Sequence, residues 1–243
     1  MQNIWSRPNE SRLSADETRE AIQLHLTRHI GEPHVAFSDQ DGWAGKSKEP
    51  GPPVDVMVVS PEGERRFAYV STFGSSLKKG GDPLAYGGRK RMEFVLAAPQ
   101  KGDAKADLAM LNLAANTVRQ FAKLVHLQDV RVQAGETVQF SHRPKPMFPG
   151  SRQIAFAFLK PRLPADGFEI MRLSANRGGE GQVEFWGLAP IYRAELESSS
   201  TRGPAFLEKT LKTAGVTEML DMDRKPAVGR GPLSWIGDFL ARR

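Results

Sequence analysis

Two apolar runs stand on either side of a short turn: VDVMVVS at 54–60 and RFAYVSTFG at 66–74, with PEGE between them. A strand with one wet face alternates apolar and polar residues. The first run is β-branched and nearly continuous, so it reads as a strand buried on both faces. The Pro-Glu-Gly-Glu turn brings the second run back as its hairpin partner. A chain that starts from such a hairpin needs further layers to cover it.

The rest of the sequence supplies them. RMEFVLAAP (91–99), QIAFAFLK (153–160), FEIMRLSA (168–175) and QVEFWGLAPIY (182–192) read as further strands. Pro99 is expected to halt the first of these and Pro190 to break the last. Residues 14–30 read as a helix, with Ser14 and Glu17 as a capping box and Thr18, Ile22, Leu26 and Ile30 as a narrow stripe. Gly31 and Pro33 end it. The clearest helix is 107–127, with Asp107 as cap and Leu108, Leu111, Ala115, Val118, Ala122 and Val125 on one face. A shorter one runs over 203–215, with Pro204 at its start and Gly215 at its end. Hairpins mixed with helices predict an α+β fold: a mixed, mostly antiparallel sheet with packed helices. The expected division is an N-terminal arm and helix (1–32), a main domain (33–228) and an amphipathic tail (229–243).

The chain of 243 residues has no cysteine, so thiol nucleophiles, disulfides and Cys-ligated metal sites are excluded. The N-terminus has no apolar run of a signal peptide, and no window approaches ~20 apolar residues. A cytoplasmic location without membrane contact is the expectation. Net charge is +6. Residues 141–162 hold Arg143, Lys145, Arg152, Lys160 and Arg162 without an acid, a pattern that favours anionic partners. Phe156 and Phe158 nearby alternate as strand residues do and are expected in the core rather than as a stacking platform for bases.

No constellation for catalysis stands out. TFGSS (72–76) is not a nucleophile elbow, and the Gly-rich stretches GGDPLAYGG and RGGEG match neither a phosphate loop nor a dinucleotide fingerprint. His25 and His29 have the spacing for a shared metal but no Glu follows His25, so they read as exposed helix histidines. Asp55, inside a buried strand, is expected to meet an Arg or backbone amides that hold the sheet. Glu93 is expected to alternate out to solvent. No catalytic residue, metal or cofactor is expected.

Taken in order, PVDVMVVSPEGERRFAYVSTFGSS, RKRMEFVLAAP, VEFWGLAPIYRAELE and DMDRKPAV resemble the blocks of the suppressor of fused (SUFU) family. The matching positions are Asp55 through Pro61; Thr72, Gly74 and Ser76; Glu93 through Pro99; Pro190 through Glu195; and Asp221 through Pro226. Two departures stand out: Lys225 interrupts the Arg-Pro pair, and SSLKKGG replaces the usual continuation after the serine. The resemblance covers about 33–228 and implies a SUFU-like domain that binds protein without catalysing a reaction. Animal members of that family hold transcription factors inactive, whereas stand-alone bacterial members look like immunity proteins. For a chain of this length the resemblance therefore implies an immunity protein whose partner is a cognate secreted toxin or effector.

Binding residues are expected in irregular surface segments carried by the rigid sheet. The loop 75–90 supplies Ser75, Ser76, Lys78, Lys79, Tyr86 and Arg89, and the basic stretch adds Arg143, Lys145 and Arg152. The alternative reading is a nucleic-acid-binding or transcription-regulatory protein using the same basic surface. Nucleic acid is the less favoured partner.

Overall fold

The computed structural model describes residues 15–38, 53–77, 90–128, 130–139, 146–148, 150–173 and 181–228. Among them an eight-stranded sheet runs in the order β1-β2-β3-β4-β8-β6-β5, with β7 also paired to β8. The strands are β1 (Pro33–Phe37), β2 (Asp55–Val59), β3 (Phe67–Phe73), β4 (Arg91–Pro99), β5 (Thr137–Val138), β6 (Gln153–Leu159), β7 (Ile170–Leu173) and β8 (Gly181–Tyr192). The helices are α1 (Ala15–His29), α2 (Ala104–Leu127), α3 (Arg193–Arg202) and α4 (Pro204–Thr213). All pairings within the sheet are antiparallel except β4 with β8. The predicted hairpin of 54–60 and 66–74 is present as β2 and β3.

The sheet is covered on both faces, which explains the unbroken apolar runs. Val56, Val58, Val70, Phe94 and Leu96 pack on one side with Ala115, Val118, Phe121 and Ala122 of α2. Phe156 and Phe158 join this cluster, as expected of core residues. The alternate residues Met57, Val59, Tyr69, Val95 and Ala97 meet Ile22 and Leu26 of α1 on the other side. Further along that strand set, Ala155, Ala157, Ala189 and Ile191 pack against Leu207 and Leu211 of α4. Neighbouring residues of one strand therefore serve different clusters.

β8 organises the sheet. Its first half pairs in parallel with β4, from Arg91↔Val183 to Val95↔Gly187. Its second half pairs with β6. Beyond Val95 the two parallel strands separate, and residues 218–220 take the vacated edge of β4. Ala97 donates its N–H to Glu218 O at 2.9 Å, and Leu220 N–H reaches Ala97 O at 2.9 Å. Gly187 sits at the point of separation: a Cβ there would lie 3.0 Å from both the Glu218 Cβ and the Leu159 Cδ1. Any side chain would push against the inserted segment.

Several expectations are corrected. Pro190 does not break its strand, which continues to Tyr192. A residue's N–H and C=O point to the same edge of a strand. The Pro190 carbonyl accepts from Arg224 Nη2 at 2.6 Å, so its nitrogen faces the edge that β4 has left and no ladder bond is forfeited. The long helix begins at Ala104, and its cap is Asp103, whose carboxylate accepts the Lys105 and Ala106 N–H groups. Asp107 instead accepts from Lys101 and Gly102, outside the helix. Leu108, expected on the apolar face, is 57% exposed. The segments β1, β5 and α3 have no counterpart among the predicted elements.

Candidate functional site

The described start of the 75–90 segment is a one-turn 3-10 helix, Ser75–Leu77, directly after β3. Its approach requires Gly74, whose φ is +110° and whose Cβ, if present, would fall 2.3 Å from Pro53 O. Glu93 of β4 holds the turn from beneath. Its Oε1 accepts the N–H groups of Gly74 at 3.2 Å and Ser76 at 2.9 Å. Its Oε2 accepts the Thr72 hydroxyl at 2.6 Å. Two more side chains grip the turn's carbonyls. Arg91 donates to Ser76 O at 2.8 Å and Leu77 O at 3.2 Å, and His126 Nε2 donates to Ser75 O at 2.9 Å.

Glu93 is fully buried, which corrects the expectation that it alternates out to solvent. Burial pushes its carboxyl up to about 7, while the hydrogen bonds from Ser76, Thr72 and Gly74 oppose the shift. At the far end of the segment, Lys90 pairs with Glu184 at 2.9 Å. The same Glu184 accepts the Trp186 indole N–H at 3.2 Å.

The structure places the expected binding residues unequally. Ser75 and Ser76 are 0% exposed, so their side chains offer nothing to a partner, and the turn is held through its backbone groups. Arg152 is exposed beside β6. Lys78, Lys79, Tyr86, Arg89, Arg143 and Lys145 lie outside the described residues, as does the tail 229–243.

A second polar cluster fastens the end of the described chain. Glu195 of α3 is fully buried and takes a bidentate contact from Arg224, with both N···O distances at 2.7 Å. It also accepts the Tyr192 N–H at 2.8 Å and the Ala227 N–H at 2.6 Å. The Tyr192 hydroxyl donates to Arg224 O, and the guanidinium lies 4.9 Å from the Tyr192 ring centre. Desolvation raises the Tyr192 hydroxyl's pKa, and the charge of Arg224 opposes that.

The third cluster left no sequence signal. Glu218, on the inserted segment, accepts the Tyr69 hydroxyl at 3.0 Å and the Arg162 and Leu163 N–H groups at about the same distance. Burial drives both the Glu218 carboxyl and the Tyr69 hydroxyl upward. Only the topology brings Tyr69, Arg162 and Glu218 together.

Asp55 behaves as expected: it pairs with Arg19 of α1 at 2.8 Å and accepts the Ser38 hydroxyl at 3.1 Å. The histidine pair does not. His25 is 9% exposed, packed against the rings of Phe168 and Phe185, and donates from Nε2 to Phe168 O at 2.8 Å. Desolvation lowers its pKa. Among the described residues no group of three or more His, Asp or Glu side chains is placed to hold a metal ion.

The blocks seen in the sequence thus resolve into two of these clusters. Thr72, Gly74 and Ser76 meet Glu93; Pro190, Tyr192 and Glu195 meet Arg224. Each carboxylate is occupied by donors of its own chain, and the chemistry these sites perform is to pin irregular segments to the sheet.

No helix of the described residues is long and apolar enough to cross a membrane. No curated protein matches the sequence. Solved structures resemble the chain clearly. A chain described as a SUFU homologue from Neisseria gonorrhoeae FA 1090 is 18% identical, with a TM-score of 0.52 over 89% of this chain and 98% of that one. A chain of the Sufu–Fu complex is 10% identical, with a TM-score of 0.57 over 92% and 96%. Drosophila Suppressor of Fused gives 10% identity and a TM-score of 0.53 over 93% of this chain, which spans 55% of the Drosophila one. At these identities the likeness speaks for the fold. The family model for Suppressor of fused protein (SUFU) matches residues 50–225, and the chain belongs to that family.

Proposed function

We propose that this chain is a non-catalytic, stoichiometric protein-binding domain, and that in its cell of origin it serves as a cytoplasmic immunity protein against a cognate secreted toxin. The observation that carries the binding role is the shared fold with a SUFU chain that forms a complex with Fu. The immunity role extends this by analogy with stand-alone family members.

Binding energy would come from a few anchors in irregular segments held by the sheet. Ser75 and Ser76 are buried and present no surface for such an anchor. Lys78, Lys79, Tyr86 and Arg89 remain the proposed contact residues, with Arg143, Lys145 and Arg152 as a basic patch that steers encounter. Occlusion of the toxin's working cleft would neutralise it.

The test is capture of the tagged protein from its source cells, followed by mass spectrometry and a rescue assay. The reading predicts recovery of one dominant protein partner, and growth of cells that co-express this chain with the toxin encoded beside it. Recovery of nucleic acid in place of protein, with binding that falls steeply as salt rises, would overturn it in favour of a nucleic-acid regulator.

A further inference from the structure

The first half of α2 has the composition of a buried helix and the exposure of a surface one. No charged residue stands between Asp107 and Arg119. A helix without a charged face is normally covered on all sides. From Ala114 to Val118 that holds, with Asn116 alone exposed. Before Ala114 it does not. Leu108 is 57% exposed, Ala104, Ala106 and Ala109 are exposed, and Met110, Leu111 and Leu113 are only half-buried. Leu108 and Leu111, three residues apart, share one side of the helix. These neighbours form a connected apolar patch rather than a scattered residue.

The topology selects what can cover it. β4 and β8 run parallel, so Pro99 and Tyr192 mark one end of the sheet, and Asp55, Phe73 and Gly181 mark the other. α2 starts shortly after Pro99 and runs back to His126 at the Ser75 turn, which puts the apolar patch at the Pro99 end. Segments 39–52, 78–89 and 174–180 are joined on both sides to the Asp55 end. Residues 1–14 lead into α1, whose Arg19 also pairs at Asp55 and which covers the opposite face. Residues 140–145 lie between β5 and β6 at the Pro99 end but carry a single large apolar side chain, Phe140. Residues 229–243 depart from that end too, since the Ala227 N–H is held by Glu195, just past Tyr192. They read GRGPLSWIGDFLARR. Leu233, Ile236 and Leu240, with Trp235 and Phe239, fall on one side of a helix, and Ser234 and Asp238 fall on the other. Pro232 suits its first turn. We propose that residues 232–243 form an amphipathic helix that docks its apolar side on the Leu108–Leu113 stretch of α2 in the same chain.

The absence of cysteine makes the test clean. Ser234→Cys in the full chain takes a nitroxide at one position, on the polar side of the proposed helix, and NMR reads which backbone amides it broadens. The amides of residues 104–113 should lose most of their peak intensity, and those of α1, on the opposite face, should keep theirs. Adding Phe239→Asp, which puts a charge into the apolar side, should restore the lost peaks. Broadening centred on α1 or α4, or none that is selective, would overturn the proposal. So would peaks that stay broadened in the Phe239→Asp form. A mixture of isotope-labelled protein without nitroxide and unlabelled protein carrying it separates the two sources of a tail. Peaks 104–113 should remain sharp there, and their loss would mean that the tail of a second copy docks instead.

Discussion

Arg224 and Glu93 make opposite demands on the protein, though each belongs to a buried polar cluster. Glu195 is fully buried and its charge is balanced by the bidentate Arg224. Arg224→Met leaves that carboxylate unpaired, and we expect a loss of about 3–5 kcal/mol in urea unfolding. Among the described residues Glu93 has no such counter-charge on its carboxylate, and its pKa rises in the folded state to about 7. A raised folded value means that the fold binds the proton more tightly than the unfolded chain does. The resulting stabilisation is full below the unfolded value of about 4.3 and is lost as pH climbs to about 7. Its size is at most about 4 kcal/mol, since each pKa unit corresponds to about 1.4 kcal/mol. Glu218 acts with the same sign, and His25, whose value is lowered, acts in the opposite one. Comparing wild type with Glu93→Gln isolates the single residue: the difference in unfolding free energy between them should change across pH 4.5–7 and stay level above it. A difference that is flat from pH 4 to 8 would show that Glu93 ionises normally.

At the scale of elements, most of the sheet was legible because strand residues announce themselves by type. The boundaries of β2, β3, β4 and β6 fall within a residue of the apolar runs that predict them. α3 was not legible: RAELESSSTR has no apolar stripe, and the residues it buries are Glu195, Ser198 and Ser199. Its start is fixed by Glu195, which accepts the N–H of Tyr192, and by the Arg224 contact, neither of which leaves a periodic trace. Pro190 misled for a related reason, because the edge it faces is free of β4 only through the insertion of residues 218–220. The cap of α2 is a sharper case, since Asp103 and Asp107 are both plausible from sequence. Asp103 accepts two N–H groups of the first turn, so Asp103→Ala should cost about 1 kcal/mol of stability in thermal or urea unfolding. Asp107→Ala should cost less, because its partners are exposed N–H groups outside the helix. Equal costs would show that the first turn does not depend on the Asp103 cap.

At the scale of the whole molecule, the fold class and the family were legible, while the chemistry of the motif residues was not. Thr72, Gly74, Ser76 and Glu93 look in sequence like scattered positions on two strands and a loop, and the structure joins them around one carboxylate. The motif residues thus hold irregular segments in place, and the proposed function assigns binding to the surfaces those segments carry. This division of labour is the centre of the account, and the stoichiometry of protection tests it most directly. Under the proposed immunity role, purified protein titrated into the toxin it is proposed to neutralise, with toxin activity and complex mass followed together, should abolish activity at a fixed molar ratio and yield a stable complex of that composition. Toxin silenced by a small fraction of an equivalent, with no complex formed, would mean turnover and would contradict a binding domain.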